Sequence, residues 1–395
     1  MKIGILTYHA ASNFGANLQA YASVCIYRRA GHEPIVINYI RPTDRRYLNS
    51  VNTRQYYAHH EFLIESLPLT REVSSPDELL KVASEENFDL ISIGADAVWR
   101  APLNDNDLVF FADWLINSSQ TTPVVAMSAA HMGDGFKSIP TSFKSRVKNN
   151  LKKFSFIAVR DQWTQQKINE DIFGDKYIKN INPDPVIWLS DFVGDIVTPY
   201  KAELSRQPYY LMTLPVRCDA EPKTKKWFAE FKSLVNESGY SLAELPLPEG
   251  ISGLDFDVTI KYPINPLHWF SYIGHAKAFC GLRFHAIMSS ISSGTPFFSI
   301  DSYGNNSLWL RLAQVAGFYK IRRAFDSRSK IRNLLLGSGF EDYRVSASIV
   351  QIPPRKVFNM LENFDREKLI VFKDSLRGIY SANLESMLKS LKHEN

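Results

Sequence analysis

Arg283 and His285 are the first candidates for chemistry in this sequence. They lie between a short apolar run, residues 278–280, and a helical run, residues 286–293. A strand-to-helix corner directs the first N–H groups of the helix, and the positive end of its dipole, at a ligand, which favours a phosphate or carboxylate. Arg283 could bind that anion in bidentate fashion, and His285 could donate a proton near neutral pH. The plainer alternative is that Arg283 pairs with a surface acid and His285 is a satisfied, partly buried histidine.

Asp96 is the second candidate. It follows the apolar run of residues 90–93 and stands two positions after Gly94. A carboxylate at a strand end could act as a general base or orient a hydroxyl group. An aspartate that forms a turn or caps a helix would occupy the same kind of position. Both interpretations remain open from the residues alone.

Polar side chains also follow the other predicted strands. The carboxyl ends of parallel strands meet at one edge of a sheet, where open α/β sheets bind ligands. Several such residues in one chain therefore predict a polar cleft, although Asn and Gly are often only turn formers. The residues are His9, Asn13, Gly15 and Asn17, then Ser128 and His131, Arg160 and Asp161, Arg217, and Asp301 with Asn305.

Common catalytic signatures are missing from the sequence. It contains no GxxxxGK[ST] loop, no GxGxxG opening the first helix, no HExxH and no GxSxG. ATP hydrolysis, dinucleotide redox chemistry and serine hydrolysis therefore lack their usual motifs. No His, Cys or acidic cluster has metal-ligand spacing, so we predict no metal and no bound cofactor.

Composition favours an ordinary globular protein. The 395 residues are 45% hydrophobic and 22% charged, with a net charge of +5 that is scattered along the chain, so a nucleic-acid partner is not expected. Three distant cysteines suggest neither disulfides nor zinc. No run is long enough for a membrane span or a signal peptide. We therefore expect a cytoplasmic protein, with the inner face of the membrane as a further location.

Strands and helices alternate along most of the chain, which predicts an α/β fold with mostly parallel sheets. The pattern weakens over residues 41–75, read as an irregular excursion or a helical insertion, and again over residues 190–207. We predict two Rossmann-like domains, residues 1–195 and 205–350, that face one another across a cleft. Residues 351–395 are predicted as amphipathic helices that pack back on the body.

Several blocks, in order, resemble those of the polysaccharide pyruvyl transferase family. Residues 7–22 (TYHAASNFGANLQAYA) resemble its opening block, in which a strand and an asparagine-glycine loop precede a helix. Residues 93–99 (IGADAVW) are similar to its Gly-Ser-Asp-x-x-Trp block, with Ala95 in place of the usual Ser. Residues 281–301 (GLRFHAIMSSISSGTPFFSID) resemble its Arg-x-His segment. Further similarities cover residues 126–133, 158–161 and 183–186.

The resemblance implies a glycosyltransferase-B-like fold with two Rossmann-like domains. It implies phosphoenolpyruvate as co-substrate and a sugar of a surface glycan, free or lipid-linked, as acceptor, the first domain serving the acceptor and the second the donor. Arg283, Phe284 and Arg217 would bind the donor. His285 would protonate the donor methylene carbon, and Asp96 would take the proton of the acceptor hydroxyl. The cleft residues that could meet the acceptor are His9, Asn13, Asn17, His131, Arg160, Asp301 and Asn305.

Two other functions fit the same features. A nucleotide-sugar glycosyltransferase of the same fold would use Arg283 to bind a diphosphate, and fold alone does not decide between the two enzymes. The replacement of the usual Ser by Ala95 removes a hydroxyl contact, which keeps a non-catalytic glycan-binding relative as the second alternative.

Overall fold

The computed structural model describes residues 1–41, 53–101, 104–133, 135–193, 208–301, 328–346 and 348–392. The chain divides into two compact units. The first is Met1–Trp188 with Ser375–Asn395, and the second is Leu189–Asp374. Each unit is built on a six-stranded parallel sheet, which confirms the predicted α/β class with two Rossmann-like domains. Residues 351–395 are divided between the two units.

The first unit has the strand order β2-β1-β3-β4-β5-β6. Strands β3 and β4 are buried along their whole length, as expected for central strands of a parallel sheet. The strands are β1 (Lys2–Leu6), β2 (Glu33–Val36), β3 (Leu90–Ile93), β4 (Val124–Ala129), β5 (Phe156–Val159) and β6 (Asn180–Ile181). The helices are α1 (Phe14–Arg29), α2 (Thr53–Ser66), α3 (Pro76–Glu86), α4 (Asp113–Ile116), α5 (Thr141–Leu151) and α6 (Gln162–Ile168).

The second unit has the strand order β12-β11-β10-β7-β8-β9. Its strands are β7 (Tyr209–Thr213), β8 (Ser241–Glu244), β9 (Val258–Thr259), β10 (Ala278–Gly281), β11 (Phe297–Asp301) and β12 (Arg344–Ser346). Its helices are α7 (Leu189–Val193), α8 (Pro222–Glu237), α9 (Pro266–His275), α10 (Phe284–Ser293), α11 (Lys330–Leu335) and α12 (Pro354–Glu362). Helix α13 (Arg366–Lys392) begins in this unit and ends in the first.

The carboxyl-terminal residues form two helices, α12 and α13, with a short break between them. Asp365 begins the second helix, because its Oδ1 accepts from Lys368 N at 2.9 Å. Within α13, Ile379 is 42% exposed and the neighbouring Tyr380 is 3% exposed. Residues 53–66, within the segment of weak pattern, form helix α2.

Candidate functional site

The order of strands in the second unit creates a crevice at one edge of its sheet. Strands β7 and β10 are neighbours, but the chain leaves β7 toward β8 on one side and β10 toward β11 on the other. Loops after two such strands diverge, and open α/β sheets bind ligands at this switch point. Arg217 follows β7, and Arg283 with His285 follows β10. The topology therefore brings the three predicted donor-side residues to one switch point.

Gly281, the last residue of β10, lies against the backbone of β7. A Cβ at this position would lie 2.4 Å from the carbonyl oxygen of Thr213 on β7. The next residue, Leu282, donates its N–H to the same oxygen at 3.1 Å. The close approach of the two strands therefore requires glycine, and it fixes where the Arg-x-His corner leaves the sheet.

Arg283 stands immediately before helix α10 with a backbone φ of 85°, a conformation that non-glycine residues seldom adopt. Its Nη2 donates to Glu249 Oε1 at 2.7 Å, and the two side chains are 45% and 53% exposed. The surface acid that the sequence left open as an alternative partner is therefore present. A half-exposed pair of this kind is weak and can exchange one anion for another.

Phe284 and His285 form the first turn of α10. Their rings meet edge to face, with centroids 5.2 Å apart and planes at 80°. No acidic residue lies in that turn, and no side chain caps the helix. The first N–H groups and the dipole of this ten-residue helix add positive potential beside Arg283.

Arg217 adopts a left-handed conformation, with φ 54°, and begins a single 3₁₀ turn, Cys218–Ala220. Its backbone N–H donates to Ile251 O at 3.1 Å. Its exposed guanidinium makes no hydrogen bond or ion pair with the residues that the structure describes. Burial raises the pKa of the neighbouring Cys218 thiol to about 12, so that sulfur is not a nucleophile near neutral pH.

The carboxylate of Asp301, at the end of β11, is bonded to neighbouring side chains. Its Oδ2 accepts from Arg344 Nη1 at 2.8 Å and from the hydroxyl of Ser329, and the residue is 4% exposed. These contacts join β11 to β12 and to the start of α11. Asn305, the other acceptor candidate from this segment, lies outside the described residues.

In the first unit the strand order places the switch point between β1 and β3. Asp96 follows β3 with a φ of 69°, and its carbonyl oxygen accepts from Val98 N and Ala130 N, each at 2.8 Å. These two bonds tie the Asp96 backbone to the chain after β4. The carboxylate is thus held at the sheet edge on a fixed backbone.

Arg160 is the charge partner of that carboxylate. Its Nη1 lies 3.2 Å from Asp96 Oδ1 and 3.1 Å from Asp184 Oδ2, and its Nε lies 3.9 Å from Asp161 Oδ2. Burial alone would lower the pKa of Arg160, but the three carboxylates outweigh it and the pKa is raised. The guanidinium therefore stays charged, although its side chain is 2% exposed.

The polar residues of the loop after β1 form hydrogen bonds within the loop and to neighbouring residues. Asn13 caps α1, and its Oδ1 accepts from Gly15 N at 2.9 Å. Asn17 donates to His9 O at 2.7 Å and accepts from His59 Nδ1 at 2.6 Å. His9 Nε2 donates to Asn38 Oδ1 at 2.9 Å, and burial lowers its pKa. These contacts hold the loop closed around buried polar groups.

His131, after β4, also has both ring nitrogens in use. Nδ1 donates to Trp99 O at 2.8 Å, and Nε2 accepts from Gly135 N at 3.0 Å. Burial lowers the pKa of this ring, so the neutral form is favoured. His131 therefore joins the chain after β4 to the segment that follows Asp96.

Two acids at these sites were not among the sequence candidates. Asp184 lies in residues 183–186, which resemble a block of the family but were not named as site residues, yet its side chain is fully buried against Arg160. Glu249 lies in a turn of unremarkable composition, 34 residues before Arg283. The sequence could have indicated Asp184, because an acid between two prolines near a strand end is a candidate site residue. It gave no such indication for Glu249.

The residues that the structure describes contain neither a metal-binding cluster nor a membrane-spanning helix. Within the described ranges, no group of three or more His, Cys, Asp or Glu residues is placed to hold a metal ion. The same residues contain no helix that is both long and apolar enough to cross a bilayer.

The fold and its two switch-point sites define a protein of the glycosyltransferase-B-like class. The family model for polysaccharide pyruvyl transferase matches residues 13–303, nearly three quarters of the chain. The chain belongs to the polysaccharide pyruvyl transferase family, and the matched residues include Asp96, Arg217, Arg283 and His285. No curated protein matches the chain.

Solved structures show the same fold at low sequence identity. UDP-GlcNAc 2-epimerase from Neisseria meningitidis, bound to UDP-GlcNAc, is 10% identical, with a TM-score of 0.56 and 100% of both chains covered. UDP-GlcNAc 2-epimerase from Methanocaldococcus jannaschii is 11% identical, with a TM-score of 0.53 over 95% of this chain and 92% of that one. The glycosyltransferase SnogD from Streptomyces nogalater is 11% identical, with a TM-score of 0.51 and 99% of each chain covered.

Proposed function

We propose that this transferase moves the enolpyruvyl unit of phosphoenolpyruvate onto a sugar of a surface polysaccharide or its precursor and closes a pyruvate ketal. The observation that carries the proposal is the placement of Arg217, Arg283 and His285 after the two strands at the switch point of the second unit. Family membership supports the class of reaction. The donor and the acceptor are part of the proposal.

The charges at this switch point suit a small donor with two anionic groups. Phosphoenolpyruvate carries a phosphate and a carboxylate. Arg217 offers an exposed guanidinium, and Arg283 offers a second one that is already bound to a carboxylate. The N-terminus of α10 adds N–H donors for an oxygen of either group. We assign one anionic group of the donor to each arginine, with the aromatic edge of Phe284 beside them.

His285 is the proposed acid. It would give its proton to the methylene carbon of the donor, which leaves a positive charge on C2 for the first sugar hydroxyl to attack. The C2–O bond to phosphate then breaks, and the second hydroxyl attacks C2 to close the ketal ring. Of the two hydroxyl protons, one replaces the proton given by His285 and the other leaves with the phosphate. The step is balanced without a metal or another cofactor.

Asp96 is the proposed acceptor-side carboxylate of the first unit. Arg160 Nη1 lies 3.2 Å from its Oδ1. A carboxylate that is 15% exposed can accept a hydrogen bond from a sugar hydroxyl and orient it. Ala95, which stands in the place of the family's Ser, supplies only its carbonyl oxygen, which accepts from the Thr7 hydroxyl.

The test is turnover by a histidine variant. Purified wild type, His285→Gln and His275→Gln are incubated with phosphoenolpyruvate and candidate glycans, and phosphate release and ketal formation are measured. Loss of a general acid is expected to lower kcat by at least about a hundredfold in His285→Gln. His275 is an exposed residue of α9 bonded to Ser271, so its variant should retain activity. Undiminished turnover by His285→Gln would remove that residue from the mechanism.

A further inference from the structure

The contact between Glu249 and Arg283 places a carboxylate of the protein where a ligand anion is expected. Oε1 of Glu249 lies 2.7 Å from Nη2 of Arg283. Both side chains are about half exposed, so the pair forms at the surface of the switch-point crevice rather than in a core. A carboxylate bound to an arginine is the same interaction that an anionic ligand would make.

Hydrogen bonds hold the backbone around Glu249. Leu247 and Gly250 exchange two backbone hydrogen bonds, of 3.1 and 3.0 Å, which close a turn with Glu249 at its tip. The hydroxyl of Tyr262 donates to Leu247 O and ties the turn to the chain after β9. Glu249 is therefore presented by a fixed turn, and its release from Arg283 needs only a rotation of the side chain.

The same turn touches the loop that carries Arg217. Ile251 O accepts from Arg217 N at 3.1 Å, and a Cβ on Gly250 would lie 3.1 Å from Val216 Cγ1. One short segment thus contacts both arginine loops of the switch point. Its acid lies against Arg283, and Arg217 has no acidic partner among the described residues.

We propose that Glu249 is a specificity-determining residue that competes with anionic ligands for Arg283. A ligand must replace the Glu249 carboxylate to bind that guanidinium, and a neutral sugar cannot make this exchange. The donor named below rests on the proposed function, whereas the competition itself needs only an anion.

The strength of the ion pair between Glu249 and Arg283 determines how much its removal changes the affinity for anions. An exposed ion pair contributes little, so removal of the Glu249 charge should strengthen anion binding about two- to fivefold. Glu249→Gln also removes the charge repulsion between Glu249 and a bound anion, and this loss likewise strengthens anion binding. The increase should weaken with added salt, because exposed charges are screened.

The experiment is a calorimetric titration of phosphoenolpyruvate, and separately of inorganic phosphate, into wild type, Glu249→Gln and Asp255→Asn. The control acid pairs with Lys232 at 3.2 Å and is 99% exposed, so its variant makes the same charge change on the same unit. We expect Kd for both anions to fall about two- to fivefold in Glu249→Gln and to stay unchanged in Asp255→Asn.

The titrations distinguish failure of the Glu249 competition from failure of the donor proposal. If phosphoenolpyruvate binds wild type and binds Glu249→Gln equally or more weakly, the competition is contradicted while the donor proposal stands. If phosphoenolpyruvate does not bind but phosphate binds more tightly to Glu249→Gln, the donor proposal fails and the competition stands. An equal gain in Asp255→Asn would show a general charge effect and overturn the assignment to Glu249. No binding of either anion would overturn both.

Discussion

One guanidinium, that of Arg160, forms ion pairs with three carboxylates in the first unit. Arg160 lies within 4 Å of Asp96, Asp184 and Asp161, and the Asp184 side chain is fully buried. Asp161 and Asp184 also accept backbone N–H groups, from Thr164 at 2.7 Å and Val186 at 3.2 Å. The cluster thus ties the ends of β3, β5 and β6 together beside Asp96.

Substitution of Arg160 tests whether this cluster of charges stabilises the first unit. Arg160→Gln would remove the cation from three buried or partly buried carboxylates, and we expect a loss of about 3 kcal/mol or more in unfolding free energy. The control is Arg71→Gln, whose pair with Glu85 is 45% and 46% exposed and should contribute less than about 1 kcal/mol. Thermal and denaturant unfolding measure both. Equal, small losses in the two variants would show that the buried cluster does not stabilise the unit.

The residues at strand ends could be predicted from the sequence, but their partners could not. Arg283, His285 and Asp96 stand shortly after apolar runs, so the sequence alone predicted that they follow the carboxyl ends of strands. Glu249 meets Arg283 through a turn that no periodicity marks, and Arg160 meets Asp184 across 24 positions. Such pairs depend on how loops close over the sheet, which a single sequence does not show.

At the scale of elements, the contact between β7 and β10 decides where the Arg-x-His corner lies. Gly281→Ala would place a methyl group 2.4 Å from Thr213 O, which is backbone and cannot move without disturbing the sheet. We expect a loss of about 2 kcal/mol or more in stability, together with weaker anion binding, because Arg283 and His285 would shift.

The matched control for this variant is Gly378→Ala. Gly378 lies inside helix α13, and a Cβ there meets no atom within 4 Å. Alanine favours the helix over glycine by about 1 kcal/mol, so this variant should be neutral or slightly more stable. Melting temperatures and phosphoenolpyruvate titrations compare the two. A Gly281→Ala protein as stable as wild type would contradict the close approach.

The regular elements were largely predictable, and the exceptions have physical causes. Helices α8 and α9 each begin at a proline, a residue that favours the first turn of a helix, so their starts are visible in the sequence. Strands β6, β9 and β12 have two or three residues and no visible period. The break before α13 depends on a cap by Asp365, whose Oδ1 accepts from Lys368 N.

At the scale of the whole molecule, buried neutral histidines make stability depend on pH. Burial lowers the pKa of His9 and His131, and lowers that of His59 to about 3. In the unfolded chain these rings bind protons below about pH 6.5, whereas the folded state keeps them neutral. The unfolded state therefore binds more protons as the pH falls below that value, and the folded state loses stability.

We expect the melting temperature to fall between about pH 7.5 and about pH 5.5, with each ring contributing up to about 1.4 kcal/mol per pH unit below its unfolded pKa. His59→Gln should reduce this dependence, because an amide can donate to Asn17 Oδ1 without titrating. His275→Gln, at an exposed position, should leave the dependence unchanged. A melting temperature that is constant or rises on acidification would contradict the prediction.

The two sheets have different strand orders, and the switch point of each lies beside predicted site residues, Asp96 in the first unit and Arg217, Arg283 and His285 in the second. The alternation of strands and helices predicted two Rossmann-like domains, which the structure confirms. The strand order itself depends on which strands pair over long separations, such as β7 with β10. It was that order, rather than the residue types, that grouped Arg217 with Arg283.

The central claim is that the second unit binds phosphoenolpyruvate through Arg283. Calorimetric titration of phosphoenolpyruvate and of UDP-GlcNAc into wild type and Arg283→Gln tests it most directly. We predict that phosphoenolpyruvate binds wild type, that Arg283→Gln weakens its binding about tenfold or more, and that UDP-GlcNAc does not bind. Binding of UDP-GlcNAc without binding of phosphoenolpyruvate would contradict the account and favour a nucleotide-sugar glycosyltransferase.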